Sequence, residues 1–343
     1  MARKTFKKII TSDELIANIN PENKKIMERF LRDKNIRSSD TTIKGYESDL
    51  NIFMVWNLLN NENKHFVEIK KLELSEFFCY AIDEMKWGSS RFSRMRSCLS
   101  SFSAFIEKYY DEDFPTFRNN INKVVESIPK NLVREKSIFS EEQINELLIS
   151  LVDKGNFDIA CWVALAISSG ARFSELFRIT TDLIDRNQTA FDGIFIELTK
   201  KIKTKGRGRQ GKLLTKYIIK DLFLPFYDQW MIKRQEIMTA NNKDHNSIFI
   251  KRDGSAAADS TVRSWILYIE EYFRQPFYPH SLRHYTNTML LKLGLPPQLI
   301  KEIFGWESVE MVELYSDIDV KDRKWNELEN LKSHLGKANN IQD

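Results

Sequence analysis

The stretch that decides the fold lies near the C-terminus, at residues 279–315, and reads PHSLRHYTNTMLLKLGLPPQLIKEIFGWESVEMVELY. It contains two short amphipathic segments whose apolar residues predict buried helix faces. Its two histidines, its arginine, its tryptophan and Tyr315 fall near the ends of these segments, where a fold can present side chains to a ligand. This stretch is therefore the best candidate in the chain for part of a functional site.

Length and composition restrict the class of protein. The 343 residues suffice for two domains, and 42% of them are hydrophobic, which allows sizeable cores. The three cysteines, Cys79, Cys98 and Cys161, form no CxxC pair and predict reduced core thiols rather than a zinc site or a disulfide framework. No apolar run has the length of a membrane span, and no signal peptide is evident. We expect a cytoplasmic protein without a membrane partner.

Changes of pattern along the chain predict its domains. Residues 1–37 form an N-terminal extension that the sequence leaves open as a helix or a mobile arm. Helical periodicity over 38–130 predicts a helical domain, and the charged residues 131–138 are the best linker. A capping box of Ser140 and Gln143 opens a second domain, predicted over 139–320. Residues 321–343 read as a charged amphipathic helix and tail.

The second domain also contains strands. Residues 194–198 form the clearest one, and nine basic residues with no acidic one follow between Lys200 and Lys220. Glycines separate two strand-like segments there, which predicts a basic β-hairpin suited to a phosphate backbone. A disordered loop would explain the charge but not its position between strands. The predicted fold class is mainly α with a small antiparallel β-sheet (α+β).

Two basic clusters are candidate DNA contacts. In the first domain, Arg91, Arg94 and Arg96 open a helix beside serines, where a solvated helix face is the ordinary alternative. In the hairpin, the candidates are Lys201, Lys205, Arg207 and Arg209.

A further arginine follows a nearly all-apolar helix at 157–168, which must be buried. The next residues read SGARFSEL, at 169–176, and place Arg172 and Glu175 three apart. Such a pair is most often a surface ion pair. Here the gap after the buried helix is so short that Arg172 should emerge close to the core.

Suppose that the chain breaks and rejoins a DNA phosphodiester. That reaction needs a nucleophile, stabilisation of a negatively charged transition state and a proton donor for the leaving oxygen. The planar guanidinium donates to two phosphate oxygens at once. The sequence has no P-loop and no acidic metal-binding cluster, so neither a cofactor nor a metal is expected.

Together these motifs resemble the tyrosine recombinases, the phage integrase family. HSLRH at 280–284, FGW at 304–306 and Tyr315 are similar to the C-terminal signature of that family, and 169–176 is similar to its other arginine box. The boxes occur in the family's order with the basic hairpin between them. The resemblance covers roughly residues 40–330.

The resemblance implies roles for the matched residues upstream of the C-terminal box. Arg172 and Arg283 would clamp the scissile phosphate, and Glu175 would orient Arg172. A hairpin lysine would protonate the leaving 5′ oxygen. Lys203 matches the family's Lys-Thr turn best, and Lys201 and Lys205 are the alternatives.

The C-terminal residues complete the implied site. His280 would transfer a proton or donate a hydrogen bond to the phosphate, and Trp306 would donate its indole N–H and pack the site. Tyr315 would attack and form a 3′-phosphotyrosine. Taken singly, a tyrosine is more often a core or surface phenol, and the tryptophan could be purely structural.

The resemblance also implies partners and architecture. A core-binding domain and a catalytic domain would form a C-shaped clamp on a double-stranded recombination site, and a homo-tetramer would exchange strands through a Holliday junction during integration, excision or resolution. The C-terminal helix would dock between protomers, and an accessory DNA-bending or directionality factor is a further expected class of partner. The alternatives are a type IB topoisomerase-like enzyme and a non-catalytic DNA-binding regulator on the same fold.

Overall fold

The computed structural model describes residues 11–125, 139–204, 206, 211–306, 309 and 312. They form two compact units, one from residues 11–125 and the other made chiefly of the residues from 139 onward. The predicted linker, the C-terminal helix, Tyr315 and the hairpin residues Lys205, Arg207 and Arg209 lie outside the described residues. No helix in the described part of the chain combines the length and apolar character of a membrane span.

The first unit is entirely helical in its described elements. Capping side chains begin its first three helices, since Ser12, Asn20 and Ser39 each accept a hydrogen bond from a backbone N–H of the first turn. The helices are α1 (Asp13–Ala17), α2 (Pro21–Asn35), α3 (Asp40–Asn60), α4 (Lys71–Asp83), α5 (Ser89–Tyr109) and α6 (Ile121–Val124), with a 3₁₀ turn at Phe66–Glu68.

Aromatic rings fill the core of the first unit. The rings of Phe53 and Phe77 meet edge to face with centroids 4.8 Å apart, and Phe102 contacts both Phe30 and Phe66 in the same manner. Phe30 belongs to α2 and is fully buried. The described part of the N-terminal extension is therefore helical, and α2 contributes to this core.

The second unit mixes helices with short strands. Its helices are α7 (Glu141–Asp153), α8 (Phe157–Ser169), α9 (Phe173–Leu176), α10 (Lys220–Ala240), α11 (Asp259–Phe273), α12 (Pro279–Lys292) and α13 (Pro297–Phe304). Its strands are β1 (Thr189–Ala190), β2 (Phe195–Glu197), β3 (Ile202–Thr204), β4 (Lys212–Leu214) and β5 (Tyr217–Ile219). The predicted capping box is confirmed, because Ser140 and Gln143 exchange side-chain-to-backbone hydrogen bonds at the start of α7.

Two small antiparallel sheets lie between α9 and α10 in the sequence. One has the strand order β1-β2-β5 and pairs Ile196 with Ile218, and the other is the β3–β4 hairpin, in which Lys203 lies opposite Leu213. The prediction of a mainly α fold with small antiparallel sheets is confirmed.

The helix α8 forms the centre of the second unit. Every residue from Ile159 to Ser169 is buried, and α8 packs against α7, α10 and α12. A helix that is apolar all round must be surrounded by other elements, as the sequence predicted. Cys161 on α8 and Cys98 on α5 are buried free thiols, but Cys79 on α4 is exposed, so the prediction of three core thiols is wrong at that position. Its helix face points to solvent, although its sequence neighbours are apolar.

Candidate active site

The candidate site begins where α8 ends, at Gly170. This residue has the left-handed φ of +53°, and its N–H closes the helix by donating to the Ala166 carbonyl at 3.1 Å. A β-carbon at this position would lie 2.9 to 3.1 Å from ring carbons of Phe304 at the end of α13. Glycine is therefore required twice, for its backbone conformation and for the close approach of α13.

Arg172 and Glu175 form a compact pair directly after this turn. One Glu175 carboxylate oxygen accepts a hydrogen bond from Nη1 of Arg172 at 3.1 Å, and the other accepts from the Arg172 backbone N–H at 3.1 Å. The Glu175 side chain is completely buried, whereas that of Arg172 retains 17% exposure. The carboxylate thus holds the guanidinium at the boundary between core and solvent, and the pair is not the surface ion pair that its spacing alone would suggest.

A lysine that the sequence analysis did not single out completes this pair. Lys216 lies between β4 and β5 and is fully buried. Its Nζ lies 3.2 Å from the second carboxylate oxygen of Glu175 and donates to the Phe304 carbonyl at 2.8 Å. Lys216 and the buried Ile218 are two apart, and strand alternation places such positions on one face. This alternation is the signal that could have predicted the burial of Lys216.

The buried charges shift one another's protonation. Burial alone would raise the pKa of Glu175, but the Lys216 ammonium and the Arg172 donors bring the pKa below its usual value. Burial lowers the pKa of Lys216 against the attraction of Glu175, and together with the charges of Arg283 and Arg172 it brings the pKa to about 8. Both arginines are therefore near enough to Lys216 to act on it, and all four groups belong to one charged cluster.

Arg283 reaches this cluster from α12. Its side chain is buried, its Nη1 donates to the Gly170 carbonyl, and its guanidinium carbon lies 4.2 Å from the centroid of the Trp306 ring. An aromatic face at this distance attracts a cation. The turn at Gly305, with φ +64°, and the hydrogen bond from the Trp306 N–H to the Lys301 carbonyl at 2.9 Å bring the indole to Arg283.

The other candidates for catalysis that the structure describes lie on the same unit. His280 is exposed in the first turn of α12, three residues before Arg283 and so on the same helix face. Lys203 is exposed at the centre of β3, with its carbonyl accepting a hydrogen bond from Arg178 at 2.6 Å, and Lys201 is exposed just before β3. The structure thus brings Arg172, Glu175, Arg283 and Trp306 together around Gly170.

The three arginines proposed as DNA contacts in the first unit have structural partners. Arg91 and Arg94 both pair with the buried carboxylate of Asp49, and Arg91 also lies over the Trp87 ring at 4.5 Å. Arg96 donates to the Asn122 carbonyl at 3.3 Å. The side chain of Arg94 remains 57% exposed. Asp49 lies on α3 and the arginines on α5, so no local sequence pattern reveals this pairing.

No group of three or more His, Cys, Asp or Glu side chains able to hold a metal ion occurs within the described ranges. The charged groups that line the candidate site are cationic apart from Glu175, and such a set binds anions rather than metal ions.

Residues 138–322 match the sequence model of the phage integrase family. The chain belongs to this family. The matched range includes the motifs at 169–176, 280–284 and 304–306. The resemblance inferred from these motifs is therefore confirmed.

Curated relatives that match most of the chain are recombinases. The SPbeta prophage-derived recombinase-like protein YomM of Bacillus subtilis is 23% identical over 290 residues, which cover 82% of each chain. The tyrosine recombinase XerC of Oceanobacillus iheyensis is 25% identical, with 82% of this chain and 87% of the relative covered. The tyrosine recombinase XerD of Halalkalibacterium halodurans is 21% identical over 301 residues. The chain is accordingly an enzyme of the tyrosine recombinase class.

Solved structures show the same fold. The Tn1549 transposon integrase in complex with circular intermediate DNA aligns with a TM-score of 0.61 over 89% of this chain and 98% of its own, at 15% identity. A lambda integrase dimer bound to a COC′ core site aligns with a TM-score of 0.61 over 90% of this chain and 84% of its own, at 14% identity.

Proposed function

We propose that this chain is a site-specific recombinase that cuts DNA through a 3′-phosphotyrosine at Tyr315 and exchanges strands through a Holliday junction. The observation that carries the proposal is the cluster around Gly170, in which Arg172 and Arg283 come from separate elements to one place. Glu175 and Trp306 hold the two guanidinium groups, and Tyr315 follows Trp306 by nine residues.

In the proposed mechanism the two arginines bind the non-bridging oxygens of the scissile phosphate. Each guanidinium is already oriented, Arg172 by Glu175 and Arg283 by the Gly170 carbonyl and the Trp306 ring. Donors fixed before the reaction stabilise the developing charge without reorganising, and one such donor typically contributes about 3–4 kcal/mol. The arginines therefore account for transition-state stabilisation without a metal ion.

Proton transfers complete the proposed reaction. The Tyr315 oxygen forms a bond to phosphorus and gives its proton to His280 or to water, and the bond from phosphorus to the 5′ oxygen breaks. Lys203 donates the proton that the leaving 5′ oxygen requires, and His280, on the same face of α12 as Arg283, hydrogen-bonds the phosphate or moves the nucleophile's proton. Religation reverses these steps with a 5′ hydroxyl of the partner strand.

The proposed partner is double-stranded DNA carrying a recombination site. The Tn1549 integrase, XerH and lambda integrase structures of this fold were each solved with DNA, which supports this proposal. We assign DNA contacts to the basic side chains of the two clusters: Arg91, Arg94, Arg96, Lys201, Lys205, Arg207 and Arg209. A homo-tetramer is the proposed working assembly.

The experiment is the capture of a covalent DNA adduct. DNA flanking the coding sequence is first incubated with the enzyme and denatured, and the DNA that stays covalently attached to the protein is sequenced to find the site. A duplex of this site is then made with a nick next to the cleavage position. We expect the wild-type protein and Tyr285→Phe to form the adduct and Tyr315→Phe to form none. Tyr285 is the matched control because it lies in the same stretch, on α12.

Adduct formation by Tyr315→Phe at the wild-type rate would contradict the proposed nucleophile. Relaxation of a supercoiled plasmid lacking the site, by a protein that stays monomeric on DNA, would favour the topoisomerase-like alternative over recombination. Replacing the 5′ oxygen with sulfur tests the proton donor, since a thiolate leaves without protonation. We expect this substrate to rescue Lys203→Ala, and rescue of Lys201→Ala or Lys205→Ala instead would move the assignment.

A further inference from the structure

Lys216 occupies an unusual place for a basic residue of the hairpin region. The other described lysines of this stretch are exposed or half-buried, whereas Lys216 is completely buried. Its neighbours come from different segments of the second unit: Glu175 at α9 and the Phe304 carbonyl at the end of α13, with the positive charges of Arg172 and Arg283 nearby. A side chain buried in this way cannot serve as a contact to the DNA backbone.

The contacts of Lys216 require both a long side chain and an ammonium group. The Phe304 carbonyl is one of the last four of α13, which have no partner within the helix, and Lys216 satisfies it. The same ammonium pairs with the Glu175 oxygen that also accepts the Arg172 backbone N–H. Burying an ammonium costs several kcal/mol before pairing. An apolar residue at this position would avoid that cost but would leave the Phe304 carbonyl without this donor.

The ammonium also changes the charge that Arg172 presents to a phosphate. Glu175 alone would cancel the charge of Arg172, whereas Glu175 with Lys216 leaves one positive charge on the group of three. Because Glu175 and Lys216 are both fully buried, solvent screens this difference less than it would at the surface.

We propose that Lys216 is a positioning residue for DNA cleavage, which ties the Glu175–Arg172 pair to the end of α13 and keeps that pair cationic. The chain continues from this helix end to Trp306, whose ring lies against Arg283, so Lys216 would link the elements that hold the two arginines. The inference rests on the proposed function, because it assigns the clamp and the nucleophile the roles given there.

Protonation provides a readout that a purely structural residue would not move. Lys216 loses its charge near pH 8, and the groups facing it are Glu175, Arg172, Arg283 and the Phe304 carbonyl. Cleavage by the wild-type protein should therefore lose the contribution of Lys216 above this pH. The cleavage rate of a variant without the ammonium should not show this decrease.

The experiment measures single-turnover adduct formation at saturating nicked DNA from pH 6.5 to 9.5. Adduct formation by the wild-type protein tests the proposed function and is the reference for every rate. We expect Lys216→Met to cleave about 10- to 100-fold more slowly at pH 7, the order of loss that follows a displaced catalytic group. DNA affinity should change less than about threefold, since Lys216 does not touch DNA. The difference in cleavage rate between Lys216→Met and the wild-type protein should disappear above pH 8.

Lys233→Met is the matched control, because Lys233 lies on α10 with 53% side-chain exposure and pairs only with Glu236 among the described contacts. It should cleave at the wild-type rate. In the double variant Glu175→Gln/Lys216→Met, the fold decrease in cleavage rate should be smaller than the product of the decreases in the two single variants, because the two residues act as one unit. Lys216→Gln, which keeps a donor without the charge, serves if the methionine variant melts early. A rate within twofold of wild type, or the same fractional loss at every pH, would overturn the proposal.

Discussion

Gly170 gives the sharpest test of how the site is built. It ends α8 in the left-handed region, its carbonyl accepts the Arg283 hydrogen bond, and a β-carbon there would lie 2.9 Å from the Phe304 ring. Gly170→Ala therefore has two separable costs, one for the backbone conformation and one for the contact with the ring. The second cost exists only if α13 really packs against the end of α8.

The two costs can be given magnitudes. An L-residue in the left-handed conformation is disfavoured by about 1–2 kcal/mol. Overpacking a buried contact adds typically about 1–3 kcal/mol, because the displaced side chain must leave its rotamer or move its helix. The free energy of unfolding of the second unit should therefore fall by about 2–5 kcal/mol in Gly170→Ala.

Gly155→Ala is the matched control. Gly155 follows α7 with φ +73°, and a β-carbon there would meet nothing within 4 Å. This variant should show only the backbone cost, so the difference between the two alanine variants measures the Phe304 contact. For a unit of this size each kcal/mol lowers the melting temperature by roughly 2–4 °C.

The assay is urea and thermal unfolding followed by tryptophan fluorescence, with the two units fitted as separate transitions. In a Phe304→Leu background, the penalty of alanine at 170 should fall toward that of Gly155→Ala, since the ring atoms are gone. Equal destabilisation by Gly170→Ala and Gly155→Ala would refute the close packing of α13 on Gly170.

Three further variants test other parts of the structure. Asp49→Asn removes the carboxylate shared by Arg91 and Arg94, and urea unfolding should show the first unit less stable by about 3 kcal/mol, the lower end for breaking a buried pair, because Arg94 is half exposed; an unchanged midpoint would contradict that role. The buried Ser281 hydroxyl has no hydrogen-bond partner among the described residues, so Ser281→Ala should raise the unfolding free energy by about 1 kcal/mol, and a loss of stability would contradict this expectation. Folding lowers the pKa of Lys216 from an ordinary 10.5 to about 8, so the unfolded chain binds more protons than the folded one between these pH values. The free energy of unfolding should therefore rise from pH 8 to 10.5, by up to about 3 kcal/mol. The melting temperature of Lys216→Met should not show this rise.

Much of the fold could be read from local patterns. The all-apolar run at 157–168 predicted a buried helix, and the glycine after it predicted the helix end, because both features act within a few residues of the chain. The capping box at Ser140 and the basic hairpin between strands are local in the same sense. The arginine boxes could be recognised because residue type and spacing are properties of the sequence itself.

The groups that orient the arginines depended on the tertiary structure. Lys216 donates to a carbonyl 88 residues away, and Asp49 pairs with Arg91 from 42 residues upstream. In the sequence, Lys216 is one of nine basic residues in a stretch that suggests contact with solvent or DNA. Its burial depends on its contacts with Glu175 of α9 and with the last residue of α13, which meet it only after folding.

The sequence by itself determined the family, the fold class and the residues that could bind a phosphate, because these follow from local pattern and residue chemistry. The tertiary structure decided which buried groups hold those residues. The physical reason is that burying a charge is favourable only with partners in place, and those partners come from segments that meet only after folding.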